Sequence, residues 1–218
     1  MAVLSAIPAT VLATRMVASV SPALSQQLGL GKNQYSIGMI TSDCDDVTYV
    51  ALDEATKAAN VNVVYAHSFY AGADHASGPT SGEVIGIIAG PGPSDVRAGL
   101  SRAIEVIENE AAFQTANETG DMAFFAHVVS ASGSYLSAQC EVAAGTALAY
   151  LIAPPLEAIF AIDAALKAAD VELCDYFAPP SETNFAGAIL SGSQAACKAA
   201  CESFTQAVLD CASLPKEV

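Results

Sequence analysis

The sequence predicts an α/β protein built from two similar halves, each a small α+β sandwich with two helices on one sheet. Two observations predict this fold. An alanine-rich segment of helical period occurs twice, 110 residues apart, and short β-branched runs typical of strands surround each copy. These runs occupy residues 13–19, 37–41, 61–65 and 84–88 in the first half and residues 123–130, 148–152, 171–174 and 185–190 in the second.

The repeated segment indicates a duplication. Two alanine-rich helices can share alanines by chance, but these copies also share Asp, Lys and Val in register. The register extends outward, where Tyr35 aligns with Thr146 and Arg97 aligns with Lys198. We therefore predict two domains, residues 1–110 and 111–218. The identical pairs are Ala51/Ala161, Asp53/Asp163, Ala55/Ala165, Lys57/Lys167, Ala58/Ala168, Ala59/Ala169 and Val61/Val171.

The first copy of the repeated helix carries two further predictions. Its small residues at 51, 55, 58 and 59 share one face, which can approach a sheet closely. Asp53 and Lys57 stand four residues apart with the acid first, the favourable order for an ion pair on an exposed helix surface. We expect the alanine face to be buried and the ion pair to be solvated.

A turn rich in Gly and Pro follows the run at 84–88. It stops the strand, and we expect Ser94 or Asp95 to cap a helix that continues to about Ile107. The turn lacks the Gly-Lys-Ser/Thr sequence of a phosphate-binding loop, which argues against a nucleotide as ligand.

Charge and hydropathy limit the partners. The net charge of −15, from 8 Lys+Arg against 23 Asp+Glu, argues against nucleic acid and anionic membranes. Residues 2–20 are apolar but are interrupted by Arg15, so we interpret them as mature protein and not as a signal peptide. Because 53% of the residues are hydrophobic and only 14% are charged, we expect part of the surface to contact other subunits.

The six cysteines show neither disulfide spacing nor a complete metal motif. Cys197 and Cys201 stand four residues apart on a predicted helix, but no second pair of ligands accompanies them. We expect reduced, mostly buried thiols, no bound metal and no cofactor.

Several motifs in order resemble a bacterial-microcompartment (BMC) shell domain. They are Ile37-Gly-Met-Ile, Ala55-Thr-Lys-Ala-Ala-Asn-Val, Val84-Ile-Gly-Ile-Ile-Ala-Gly and Asp95-Val-Arg-Ala-Gly-Leu. The strand that ends an ordinary BMC domain comes first here, so the chain is similar to the tandem, circularly permuted shell proteins of ethanolamine utilisation. The resemblance extends nearly end to end. It is most specific at the stretches beginning with Ser42, Ala51, Ser132, Ala153 and Gly192.

The resemblance implies the assembly and the location. Each half would have a ferredoxin-like layout, and three chains would form a pseudohexameric homotrimer that joins other shell proteins in a flat hexagonal layer. The protein would lie in the cytoplasm, in a microcompartment shell. The resemblance also implies a gated central pore and small pores for metabolites.

The candidate ligand site begins with Asp43, Asp45 and Asp46, directly after a predicted strand. A solvated acidic turn before the next helix and an acceptor cluster for a cationic amine both fit this pattern. The second half has Pro154-Pro155-Leu156 at the same place, and Asn184 nearly matches Glu83, so only the first half carries the charges. The resemblance implies ethanolamine as the ligand, with the binding residues Asp45, Asp46, Glu83, Phe113 and Thr183.

The candidate pore gate comprises two long polar connections, residues 66–82 and 176–183. Both are rich in the residues of surface loops and occupy equivalent places in the repeat. The resemblance assigns them to the central pore, with the gate residues His67, Phe69, Tyr70, Phe177 and Pro179. Aromatic side chains there could fill a closed pore or anchor the loops. For His67 and His75, a weak metal contact and an ordinary surface position are both open.

Two functions fit the sequence. The first is a structural shell protein that forms pores. The alternative is a soluble amine-binding or sensor module that does not assemble into layers. We do not expect an enzyme, because the sequence has no recognisable set of nucleophile and base and no complete metal motif.

Overall fold

The computed structural model describes residues 3–69, 82–179, 181 and 183–216. From the second strand onward, the elements of the first repeat recur in the same order in the second, which confirms the predicted α/β fold with tandem domains. In the first repeat they are β1 (Ala6–Pro8), β2 (Val11–Val17), α1 (Pro22–Gln27), β3 (Ser36–Ser42), α2 (Asp45–Ala58), β4 (Asn62–Ser68), β5 (Val84–Gly90) and α3 (Pro93–Asn109). In the second they are β6 (Ala112–Thr115), β7 (Ala123–Val129), α4 (Ser134–Gln139), β8 (Ala147–Ala153), α5 (Pro155–Ala168), β9 (Val171–Phe177), β10 (Ala186–Gly192) and α6 (Gln194–Ser213).

The chain packs as two compact units that exchange short segments. The first unit comprises Pro8–Ala111 together with Gly133–Leu136, a short piece of the second repeat. The second unit comprises Ala112–Ser132, Ser137–Val218 and the beginning of the chain, Met1–Ile7. The predicted domains 1–110 and 111–218 describe the two copies of the duplicated sequence, and their bounds stay a prediction.

The first unit is a two-layer sandwich. Its antiparallel sheet has the order β2-β3-β5-β4, and α2 and α3 pack together on one face. Two glycines let the helices approach the strands. A Cβ atom at Gly38 would lie 2.7 Å from Val96 Cγ1, and a Cβ atom at Gly86 would lie 2.7 Å from Leu52 Cδ1. Any larger residue at either position would push a helix away from the sheet.

The second unit has the same layers with a wider sheet, ordered β1-β6-β7-β8-β10-β9. Its first strand joins β6 through the backbone, because Leu4 N donates to Thr115 O at 2.8 Å and Thr115 N donates to Ser5 O at 3.0 Å. Helices α5 and α6 pack together over a buried core that includes alanines, Phe204 and two cysteines. All six cysteines are free thiols, and Cys140, Cys197 and Cys201 are buried. The strand at the start of the chain thus completes the sheet of the second unit.

One predicted helix cap is wrong. Helix α3 begins at Pro93, with extended Gly92 at the cap position and no side-chain cap bond from Ser94 or Asp95. Proline suits the first position of a helix, because its φ is already helical and its missing N–H needs no partner there. The helix therefore begins before the two polar residues that were predicted to cap it.

The predicted exposed pair of Asp53 and Lys57 is also wrong. Asp53 is completely buried, and Lys57 bonds Glu54 instead. The Asp53 carboxylate accepts Gly133 N at 2.6 Å and Leu136 N at 2.9 Å. The segment Gly133–Leu136 covers this face of α2, which the sequence pattern of one helix could not reveal.

The predicted alanine face of α2 is buried only in part. Ala51 and Ala55 are fully buried, whereas Ala58, the last residue of the helix, is exposed. In the described ranges, no helix is long and apolar enough to cross a membrane.

Candidate functional site

The acidic cluster lies where β3 gives way to α2. Asp43 is exposed and its Oδ1 accepts Thr10 N at 2.6 Å, which fixes the turn. Asp45 and Asp46 open the helix but are only 8% and 6% exposed, so the alternative of a solvated acidic turn is wrong for these two residues. A negative charge in the first turn of a helix interacts favourably with the helix dipole. Burial nevertheless removes the water that would stabilise the charged carboxylates.

The Asp45 side chain is held by a directed chain of hydroxyl groups. Ser68 Oγ donates to Asp45 Oδ2 at 2.7 Å, so the Tyr49 hydroxyl, 2.5 Å away, donates to Ser68. Asp46 N donates to the other carboxylate oxygen, Asp45 Oδ1, at 2.9 Å. Burial, with the nearby aspartate charges, raises the pKa of Tyr49 to about 12, so the phenol keeps its proton and remains a donor. The carboxylate is thereby fixed in one orientation.

The backbone places Glu83 beside this cluster. Glu83 N donates to Ser42 O at 2.9 Å, and Phe69 N donates to Glu83 O at 2.9 Å. The preceding residue must be glycine, because a Cβ atom at Gly82 would lie 1.7 Å from Ser42 O. Partial burial raises the pKa of Glu83, and the charges of Asp45 and Asp43 raise it further. The carboxylates therefore repel one another, and a cation would relieve that repulsion.

The second unit has apolar residues at each equivalent position. Matching helix starts and strand registers place Pro155 at the position of Asp45, Ile159 at Tyr49, Ala178 at Ser68 and Phe185 at Glu83. Because β5 begins directly after Glu83 and β10 directly after Phe185, the counterpart of Glu83 is Phe185, and the predicted near-equivalence with Asn184 is off by one residue.

The remaining predicted ligand residues belong to the second unit. Phe113 stacks on Phe125 with ring centroids 5.2 Å apart and meets Phe185 edge-on at 5.7 Å. Thr183 lies in the turn before β10. The structure thus groups Asp45, Asp46 and Glu83 in the first unit and places the other two residues in the second.

The predicted gate residues lie at the ends of equivalent strands. His67 is an exposed residue of β4, with its ring 4.8 Å from that of Tyr65, and Phe69 follows this strand. In the second unit, Phe177 ends β9 with its ring 5.9 Å from that of Tyr150, and Pro179 follows.

Tyr70 and His75 lie outside the described residues. In the part of the chain that is described, no group of three or more His, Cys, Asp or Glu side chains could hold a metal ion.

Two residues of the cluster, Tyr49 and Ser68, are not among those predicted from the sequence. The Ser68 hydroxyl meets Asp45 across 23 residues of sequence, and the Tyr49 hydroxyl meets Ser68 across 19. Only the pairing of β4 beside the start of α2 brings them to the carboxylate.

Comparison with known proteins identifies the family. Residues 36–119 and 153–214 match the BMC domain. The chain is 57% identical to the bacterial microcompartment shell protein EutL of Clostridium perfringens, over 94% of each chain. The chain belongs to the EutL family.

Further EutL proteins agree with this assignment. The EutL shell protein of Escherichia coli K12 is 55% identical over 99% of this chain and 98% of its own length. The crystal structure of the ethanolamine utilization protein EutL from Leptotrichia buccalis superposes with a TM-score of 0.96 over 100% of both chains, at 52% identity. The resemblance to tandem BMC shell proteins is therefore confirmed.

Proposed function

We propose that this EutL-family chain is a structural component of a cytoplasmic microcompartment shell that serves ethanolamine utilisation. Three copies form a homotrimer, which joins other shell proteins in a flat layer. The duplication supports this stoichiometry, because three chains of two BMC repeats supply the six domains of a hexagonal unit. The role is structural and not catalytic, in keeping with the family.

The first unit provides the ligand chemistry of the small pore. Ethanolamine carries an ammonium group and a hydroxyl group, and the proposed site offers carboxylates and hydroxyls close together. The observation that carries this proposal is the buried Asp45 carboxylate, oriented by Ser68 and adjacent to Glu83, whose pKa its charge raises. An ammonium ion bound there forms charge-assisted hydrogen bonds and removes carboxylate repulsion.

Asp46 extends the same acidic surface at the start of α2. Phe113 and Thr183 are proposed from the family resemblance alone, and each is tested by its own substitution, Phe113→Ala and Thr183→Ala. A loss of ethanolamine affinity in either variant supports its place in the site.

The site is also placed to influence the proposed gate. Ser68 and Phe69 directly precede residues 70–81, and Glu83 follows them closely. A ligand held by Asp45 and Glu83 would therefore bear on both ends of the first gate segment. It biases the gate only if it binds one pore state more tightly than the other. We assign His67, Phe69, Tyr70, Phe177 and Pro179 to this gate.

Calorimetry with the purified protein tests the ligand site. We expect Glu83→Gln to weaken ethanolamine binding about two- to fivefold, the effect of removing one partly exposed charge partner. Glu108→Gln is the matched control, because Glu108 is an exposed residue of α3 in the same unit. Equal affinity in wild type and Glu83→Gln would remove Glu83 from the site.

Sizing and electron microscopy test the assembly. We expect a trimer that forms hexagonal layers. A stable monomer that binds ethanolamine and never forms layers would refute the shell role and establish the alternative, a soluble amine-binding or sensor module.

A further inference from the structure

A polar cavity lies at the opposite end of the strands that carry the acidic cluster. It has a volume of about 330 Å³ and is lined by residues 31–34 before β3, by Asn60 and Asn62 around the start of β4, and by residues 90–91 at the end of β5. The acidic cluster lies where β3 and β4 end and β5 begins. Because a strand of seven residues spans about 20 Å, the cavity and the cluster are separate sites in the first unit.

A relay of hydrogen bonds orients two amide side chains in the wall of this cavity. Gly31 N donates to Gln34 Oε1 at 2.7 Å, and Gln34 Nε2 donates to Asn62 Oδ1 at 2.9 Å. A backbone N–H can only donate, so it determines the orientation of both amides. The relay uses the carbonyl oxygen of Asn62 and leaves its NH₂ group, which has no acceptor among the described residues, available to a ligand.

Lys32 gives the same wall a positive charge. The chain has 23 Asp+Glu against 8 Lys+Arg, yet in the described ranges no carboxylate pairs with Lys32. Asn33 and Asn60 add two exposed carboxamides to the surroundings of its ammonium group. Ammonium and amide N–H groups are the donors that a carboxylate accepts most readily, so the free polar groups of the cavity suit an anion.

The second unit lacks these donors. Matching strand starts and registers place alanine or an acidic residue at the equivalent positions, namely Ala143 for Lys32, Asp170 for Asn60 and Glu172 for Asn62. The same turns therefore form there with carboxylates where the first unit has carboxamides. An anion would be repelled at that place, so the donor set belongs to the first repeat alone.

We propose that the cavity binds a small carboxylate. The carboxylate of the ligand accepts hydrogen bonds from the Lys32 ammonium group and the Asn62 NH₂ group. Asn33 and Asn60, whose side chains both donate and accept, hold a hydroxyl group of the same ligand. The ligand site is independent of the proposed ethanolamine site, which recognises a cation.

The size and surroundings of the cavity limit the ligand further. Its volume lies at the lower end of the range of small-molecule sites, about 300–1,000 Å³. Asp95 stands close behind the cavity, because a Cβ atom at Gly90 would lie 3.4 Å from the Cβ atom of Asp95. This nearby negative charge disfavours a ligand with two charges, so a monocarboxylate fits better than a dicarboxylate or a phosphate ion.

Competitive labelling of lysines tests the site with lactate, a small carboxylate that carries a hydroxyl group. The purified protein is treated with an amine-reactive reagent at constant ionic strength, and peptide mass spectrometry follows each lysine as lactate is added. We expect lactate to slow the labelling of Lys32 and to leave the exposed Lys216 unchanged. Lactamide, which has nearly the same shape without the charge, should protect neither lysine.

Two substitutions test the donors. Asn62→Asp keeps an oxygen for Gln34 but replaces the free NH₂ group with a carboxylate oxygen, so the lactate concentration for half-protection should rise about tenfold or more. Asn109→Asp is the matched control, because it makes the same change at the end of α3, about 24 Å along the helix from its start. Lys32→Gln should weaken lactate binding about two- to fivefold in an NMR titration of the lactate signal, since the lost charge is exposed.

The outcomes separate this site from the ethanolamine site. Saturating ethanolamine should leave the protection of Lys32 by lactate unchanged. Equal protection by lactate and lactamide, equal protection of Lys32 and Lys216, or unchanged affinity in Asn62→Asp would overturn the carboxylate site and leave the ethanolamine proposal intact. Stronger protection of Lys32 by inorganic phosphate than by lactate would also overturn it.

Discussion

Replacing Asp53 with Asn tests whether the exchanged segment stabilises the first unit. The fully buried carboxylate accepts N–H bonds at 2.6 and 2.9 Å, one on each oxygen. Asparagine keeps one acceptor and turns an NH₂ group toward the second N–H, which loses its partner. An unsatisfied buried donor costs about 1–3 kcal/mol. Burial raises the pKa of Asp53 even though the two N–H groups lower it, so the ionised side chain also has a burial cost that asparagine avoids.

We therefore expect Asp53→Asn to lower the free energy of unfolding by about 1–2 kcal/mol, in the lower part of that range. Asp53→Ala removes both acceptors and should cost more. Urea unfolding at one fixed protein concentration measures both, since association also contributes to apparent stability. Glu108→Gln, an exposed change in the same unit, should stay within about 0.5 kcal/mol of wild type. A loss for Asp53→Asn no larger than that of the control would refute the stabilising role of the segment.

Three further predictions concern the ligand site and the packing beneath it. Ethanolamine affinity should fall as the pH is lowered through the raised pKa of Glu83, because this carboxylate must be ionised to hold an ammonium ion. Calorimetry at several pH values should place the midpoint of this fall above 4.5, the ordinary pKa of the group. A midpoint below 4.5 would contradict the repulsion between the carboxylates. Ser68→Ala should weaken ethanolamine binding while the trimer persists in sizing, because it removes one of the hydrogen bonds that orient the buried Asp45 carboxylate. Unchanged affinity would show that this bond is unimportant for the ligand. Gly86→Ala should cost about 1–3 kcal/mol in urea unfolding because its Cβ would lie 2.7 Å from Leu52, whereas Gly31→Ala, with its nearest atom 3.5 Å away, should cost less.

Most of the fold could be predicted from the sequence, because hydrophobic period and the duplication are local signals. The strands predicted at 37–41 and 148–152 lie within β3 and β8. The prediction of an exposed ion pair for Asp53 was wrong because a segment 80 residues away supplies the partners of its carboxylate. No pattern along one helix predicts such a contact. The family resemblance is especially specific in the stretch that begins at Ser132, but it did not indicate that this stretch contacts α2.

The candidate site could be predicted only in part, because some of its residues are neighbours in sequence and others are not. Three carboxylates after a strand are conspicuous, and their absence from the second half is equally plain. Their burial and orientation are not, because they depend on the hydroxyl of Ser68 and the ring of Tyr49, which the pairing of β4 with β5 and the packing of α2 bring together. Polar residues at the ends of elements become informative only when the topology is known.

The duplication allows equivalent positions to take on different tasks. A ring of six identical domains would carry the same ligand site six times, whereas in this chain Asp45, Ser68 and Glu83 are replaced by Pro155, Ala178 and Phe185 in the second repeat. An ammonium ion finds no carboxylate at those second positions, and their apolar side chains offer it no compensation for lost hydration. Calorimetric titration should therefore give one ethanolamine per chain, and a stoichiometry of two would mean that the carboxylates are not what the ligand recognises.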